Sequence, residues 1–208
     1  MEKLTKEIVA CDWFFRGLED LFFAFQIDAP FRYKPFFHTM GFEMICKSYL
    51  LAEKSSKYEQ LERKQAIQEI NNLAKSWCHN IKEMVDEIKN SINDRDFSNV
   101  LSEIYDSYSG KQFIKIMEAA YLECRYPVPN PIYEKFPIEE YPDMYWQPLR
   151  SSGLEKFCFA FTRKVIIHLK RKFNILIPKD TFDKIIIGEA GTRFCNLFLE
   201  GTPKDFFN

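Results

Sequence analysis

The sequence predicts an all-α protein whose core is an up-and-down four-helix bundle, with extra short helices at the C-terminal end. Three observations predict it. Apolar residues recur every three or four positions in several long stretches, the period of an α-helix. No stretch alternates apolar and polar residues as a strand does, and no internal repeat appears. Proline gathers between the periodic stretches rather than within them, above all between residues 127 and 148.

The first helix is expected over residues 4–26, where Trp13, Leu18, Leu21, Phe22 and Phe25 fall at helical spacing around Glu19 and Asp20. "DAPFRYKP" stops it, because a residue before proline is pushed out of the helical region. The second helix is expected over 36–53, with Phe37, Met40, Met44, Ser48 and Leu51 on one face. Glu43 and Lys47 form an i,i+4 pair on it, expected to be an exposed ion pair, with the lining of a groove as the alternative. "SSKYEQLERKQAIQEINNLAKSW" has helical propensity but a thin apolar face, so it is a solvated helix or a connector.

The third bundle helix is expected over 79–122, with a break. It starts in "CHNIKEMVDEIKNSI", where Asn80 and Glu83 have the form of a capping box and Ser76 is the alternative cap. The break falls near Gly110, and Phe113, Ile116, Met117, Ala120 and Tyr121 then form one stripe. Prolines 127, 129, 131, 137, 142 and 148 exclude helix from the following turn. The fourth helix is expected over 149–174, with Val165, Ile166, Leu169 and Phe173 on its core arc. The bundle is therefore expected to take up residues 1–175, and 176–208 form a C-terminal helical extension.

Composition narrows the function. Charged residues make up 28% of the 208 residues and nearly cancel, at a formal net charge of -1. A protein that coats long duplex nucleic acid carries a basic excess, so any nucleic-acid contact here is local. The cysteines, at 11, 46, 78, 124, 158 and 195, are too widely spaced for a metal knuckle and read as reduced, mostly buried thiols. With no signal-peptide pattern in the first residues and no apolar run long enough to span a bilayer, a cytoplasmic protein is expected. Three histidines without clustered ligands predict no metal, and the absence of a phosphate loop or dinucleotide fingerprint predicts no cofactor.

Several motifs, in order, resemble those of the HEPN superfamily of helical bundles. "GFEMICKSYLLAE" resembles its second helix, an acidic residue and a lysine before a leucine run. "CHNIKEMVDEI" resembles its His-Asp-Leu helix start, with Asn80 in the Asp place and Ile81 in the Leu place. "YLECRYPVP" resembles its Arg-Tyr-Pro helix exit. The resemblance covers about residues 5–175. It implies a four-helix bundle, often a homodimer, that is either a metal-independent ribonuclease or a non-catalytic module binding a nucleotide, RNA or a partner protein.

Catalytic members carry Arg, four to six residues, then His, and Arg163 and His168 match that spacing. The histidine would move a proton at the ribose hydroxyl or leaving oxygen, and the arginine would hold the scissile phosphate. The match departs from the active pattern at Lys164, where active members usually have Asn, Asp or His. On a regular helix the five-residue step is about 140° of rotation, so the two side chains diverge. The plainer expectation is that Lys164, His168 and Arg171, flanked by Arg163 and Lys170, form a basic solvated face, with Lys164, Lys170 and Arg171 available to a nucleotide or RNA.

Arg125 is expected to satisfy helix-end carbonyls or to pair with Glu118 or Glu123, with phosphate binding as the alternative. His38 is expected as a helix-end histidine and His79 as a capping-region residue rather than a ligand. Tyr133, Tyr141, Tyr145 and Trp146 are expected to cover the bundle, with base stacking as the alternative. The leading expectation is a non-catalytic binding module. A ribonuclease and a purely structural interaction protein are the rivals.

Overall fold

The computed structural model describes residues 3–26, 33–92, 113–125, 148–178 and 188–199. Among these the chain is all-α. It forms α1 (Lys6–Gln26), α2 (Tyr33–Glu53), a 3₁₀ turn (Ser55–Lys57), α3 (Arg63–Ser76), α4 (Ile81–Ile92), α5 (Phe113–Arg125), α6 (Pro148–Phe173) and α7 (Gly188–Leu199).

α2 is the axis of the fold. From Gly41 to Ala52 every residue except Met44 is buried, so the helix is covered on all sides by α1, α4, α5 and α6. The expected one-sided stripe is therefore wrong. Phe37, Met40 and Met44 are only half-buried, while Phe42, Ile45, Cys46, Tyr49 and Leu50 are enclosed. A helix wrapped all round has no polar side for periodicity to reveal.

α1 and α2 run antiparallel, since Ser48 Oγ donates to the Ala10 carbonyl at 2.9 Å while Phe23 meets Phe37 at the other end. Their backbones touch midway. A Cβ on Gly17 would lie 2.8 Å from the Gly41 carbonyl oxygen, and one on Gly41 2.7 Å from that of Gly17. α6 runs parallel to α2, with Phe42 against Phe157 and Phe161, and Tyr49 against Phe173.

α2 begins before its expected start. Pro35 lies in its first turn, where backbone N–H groups have no intrahelical acceptor, so proline costs no hydrogen bond. The stretch left between solvated helix and connector is amphipathic α3, which buries Ala66, Ile70, Leu73 and Ala74. At the start of α4 the Glu83 N–H donates to Asn80 Oδ1 at 3.0 Å, so Asn80 is the cap, and Ser76 instead donates to the Leu73 carbonyl. The expected helix over 97–112 lies outside the described residues. α6 ends at Phe173, and Asn174 after it is in the left-handed region at φ 57, a conformation asparagine tolerates better than most residues.

α7 docks on the bundle. Ile175 and Ile177 are buried, and Phe194 of α7 packs on Phe22, Phe25 and Phe159. No described helix is long and apolar enough to cross a membrane.

Candidate functional site

Burying a charge is costly unless it is paired, so the inward-facing charges on α2 mark the site. Glu43 is 1% exposed and Lys47 5%. Lys47 Nζ donates to Glu43 Oε1 at 2.6 Å and to the Cys78 carbonyl at 3.0 Å, and lies 6.0 Å from the centre of the Trp13 ring. The other carboxylate oxygen of Glu43 is 2.9 Å from His79 Nδ1. His79 Nε2 meets the Tyr121 hydroxyl, and the two rings stack with centroids 3.9 Å apart.

Three elements bring these groups together. α2 supplies Glu43 and Lys47, one turn apart. The turn between α3 and α4 supplies His79 and the Cys78 carbonyl. Cys78 takes a left-handed conformation at φ 48, and its carbonyl oxygen reaches Lys47. α5 supplies Tyr121, and three residues earlier Glu118 accepts the Lys82 N–H at 3.1 Å, tying the start of α4 to α5. Trp77 Nε1 donates to Glu87 at 2.8 Å and steadies the turn from the other side.

The arrangement orients an imidazole. Paired with Lys47, Glu43 is ionised and can only accept, so His79 carries its proton on Nδ1. Nε2 faces the Tyr121 hydroxyl on the other side of the ring. Tyr121 is buried, while the His79 side chain is 43% exposed, so solvent or a ligand can reach the imidazole. Asp20, on α1, lies close enough to feel Glu43. Burial, then repulsion from Glu19 and Glu43, pushes its carboxyl up to about 6.

Two expectations need correction here, and a third needs an addition. Glu43 and Lys47 are a buried pair, not an exposed one, because α2 is central. His79 lies in the capping region, beside the cap Asn80, as expected, but its side chain turns back to Glu43, which the sequence did not indicate. His38 is not a helix-end residue but fully buried, because α2 begins a turn earlier than expected. Its Nδ1 donates to the Lys34 carbonyl at 2.8 Å, its Nε2 has no partner among the described residues, and burial pushes its pKa down to about 4.

The candidates on α6 sit in different surroundings. Arg163 Nη1 donates to the Phe198 carbonyl of α7 at 3.4 Å, while His168 is 9% exposed. The expected basic solvated face is interrupted. Lys164 and Lys170 are half-buried, His168 is buried and Arg171 is exposed. The reason is that α6 meets α2, α1 and α7 rather than a single neighbour. The Arg125 side chain lies outside the described residues, as do Tyr133, Tyr141, Tyr145 and Trp146.

Sequence reading missed a second polar cluster, where the ends of α2, α4 and α6 meet. Lys172 Nζ donates to Glu53 at 2.7 Å and to Ser91 Oγ, and the Tyr49 hydroxyl is 3.0 Å from Ser91 Oγ. A serine beside a lysine has the outline of a nucleophile and its base. Burial works against the Lys172 charge, but Glu53 and Tyr49 outweigh it and raise the pKa, so the amine stays protonated and takes no proton from Ser91. The cluster ties helix ends. No sequence spacing signals it, since its members come from three separate helices.

Compared with models of protein families, with curated proteins and with solved structures, the chain gives no match.

Proposed function

We propose that the chain is a non-catalytic HEPN-like binding module for a nucleotide, an RNA end or a partner protein. One observation carries the reading. Glu43 and Lys47, from one of the stretches that resemble the superfamily, meet His79, from another, in a single hydrogen-bonded cluster with a reachable imidazole. Arg163 and His168 favour a module over a ribonuclease, because Arg163 is engaged by α7 and the helix turns the two side chains apart. Buried thiols at Cys46, Cys158 and Cys195 fit a reducing compartment, and we take the protein to be cytoplasmic.

The test is incubation of the purified protein with single-stranded RNA in EDTA, beside binding titrations with the same RNA and with ATP. The reading expects no cleavage and a salt-sensitive association with one probe, weakened by His79→Ala and by charge reversal at Arg171. Binding to neither probe narrows the reading to a protein partner. Metal-independent cleavage that drops about 10²- to 10⁴-fold in His168→Ala would establish the ribonuclease instead.

A further inference from the structure

The imidazole of His79 is held on three sides. One ring face lies on Tyr121, with centroids 3.9 Å apart and ring planes 25° apart. Nδ1 is tied to Glu43 at 2.9 Å, and Nε2 faces the Tyr121 hydroxyl. The side chain is still 43% exposed. With one face and both nitrogens occupied, that exposure falls mainly on the opposite face of the ring and its carbon edge.

The backing of this open face is ordered. Tyr121 is buried and stacks in turn with Phe36, with centroids 6.3 Å and ring planes 29° apart. Glu43 is fixed by Lys47, and Lys47 by the carbonyl of Cys78, the residue before His79. A flat surface that is already fixed loses little freedom when a second flat group covers it.

The surroundings fit a nucleobase better than the side chains of a protein partner. The contact His79 already makes is face to face, the way a base lies on an aromatic side chain. Its exposed neighbours Lys75, Ser76, Asn80, Lys82 and Glu83 are polar. None of the exposed large apolar side chains among the described residues, Ile8, Phe23 and Ile67, falls in this stretch of chain. The core of a protein interface needs apolar area, whereas a base needs one ring face and polar groups near its edge. Lys47, the cation of the cluster, is buried and engaged by Glu43 and Cys78, so the cluster offers a ring face and not a free charge.

We infer that His79 is a stacking platform for a nucleobase, which lies on the open face of the imidazole as Tyr121 lies on the other. The inference rests on the reading of the chain as a module that binds a nucleotide or RNA, and it names the contact that recognises the ligand.

Adenosine, which carries the ring system without a phosphate, is compared with ribose 5-phosphate, which carries a phosphate without the ring system. Calorimetric titrations and proton magnetic resonance use the full chain, and the His79 ring signals are those missing from His79→Ala. Adenosine should bind one-to-one, with an affinity that raised salt leaves unchanged because no charge is involved. Its ring current should move the His79 carbon-bound ring protons and leave those of buried His38 and His168 in place. Ribose 5-phosphate should bind at least about tenfold more weakly. His79→Ala should lower the adenosine affinity about 10- to 100-fold, the range that stacking on one side chain supplies. His79→Phe keeps a ring and should lose about threefold or less. The ring-proton shift is read in the natural protein, so the test stands even where a variant unfolds. Equal binding of ribose 5-phosphate, adenosine binding that leaves the His79 signals unmoved, or full adenosine affinity in folded His79→Ala would each overturn the proposal. Binding of ATP or RNA without binding of adenosine overturns the platform and leaves the binding module standing. Failure of adenosine, ATP and RNA alike overturns the platform together with the nucleotide reading.

Discussion

Glu43 and Lys47 are one turn apart and both inside, so neither charge can fall back on water. A buried pair contributes little over a well-packed apolar pair, but breaking it strands a charge. Lys47→Met leaves the Glu43 carboxylate buried with only His79 beside it, and should lower unfolding free energy by about 3–5 kcal/mol in urea denaturation. Glu43→Met with Lys47→Met removes both charges and should cost much less. If the single and double variants lose the same stability, the pair is not what holds this site. The i,i+4 spacing made the pair legible in the sequence. Its burial was not, because spacing on one helix says nothing about how many neighbours cover that helix.

At the level of elements, the α1–α2 contact depends on two residues without side chains. With Gly17 and Gly41 set backbone to backbone, a Cβ on either would collide with the other's carbonyl oxygen, and a helix backbone cannot yield as a side-chain tip can. In an open helix, replacing glycine by alanine gains about 1 kcal/mol of propensity. Here overpacking should outweigh that gain, so Gly17→Ala and Gly41→Ala are each expected to lose about 1–2 kcal/mol net, read from the shift of the denaturation midpoint. A stabilised variant would mean the helices stand farther apart. Helix existence was largely legible, as in α1, α2, α4 and α6. The starting point of α2 was not, because Pro35 reads as a stop in sequence and as a tolerated first-turn residue in the fold.

Across the whole molecule, two titrations oppose each other. His38 has a native pKa of about 4 against an ordinary 6.5. The unfolded chain therefore binds a proton there that the native chain refuses. The contribution is complete above pH 6.5 and is lost as pH falls towards 4, a loss of about 3 kcal/mol. Asp20 runs the other way. Its carboxyl is raised from 3.8 to about 6, so its contribution is complete at low pH and is lost as pH rises through 6. Asp20 is only half-buried, and solvent screening leaves an effect on the order of 1 kcal/mol. Urea midpoints measured from pH 4 to pH 8 should show His38→Gln losing the acid-side slope and Asp20→Asn gaining stability at pH 7. Unchanged slopes in both variants would refute the assignment. The HEPN-like reading also carries an expectation of assembly, a homodimer, and light scattering that gives a monomer at micromolar concentration removes it.

The sequence by itself determined that the described residues are helical, where most of their helices lie, and that Asn80 or Ser76 caps α4, because these depend on local periodicity, proline placement and short-range hydrogen bonds. It also supplied the stretches that contain Glu43, Lys47 and His79. Only the tertiary structure decided that α2 is enclosed on every side and that His79 turns towards Glu43 rather than its own helix start. It alone decided that His38 and His168 are buried, that Arg163 reaches α7, and that Lys172, Ser91 and Glu53 meet. These facts depend on which helices become neighbours. A spacing of three or four residues fixes the directions in which side chains leave one helix, and only packing fixes what they meet.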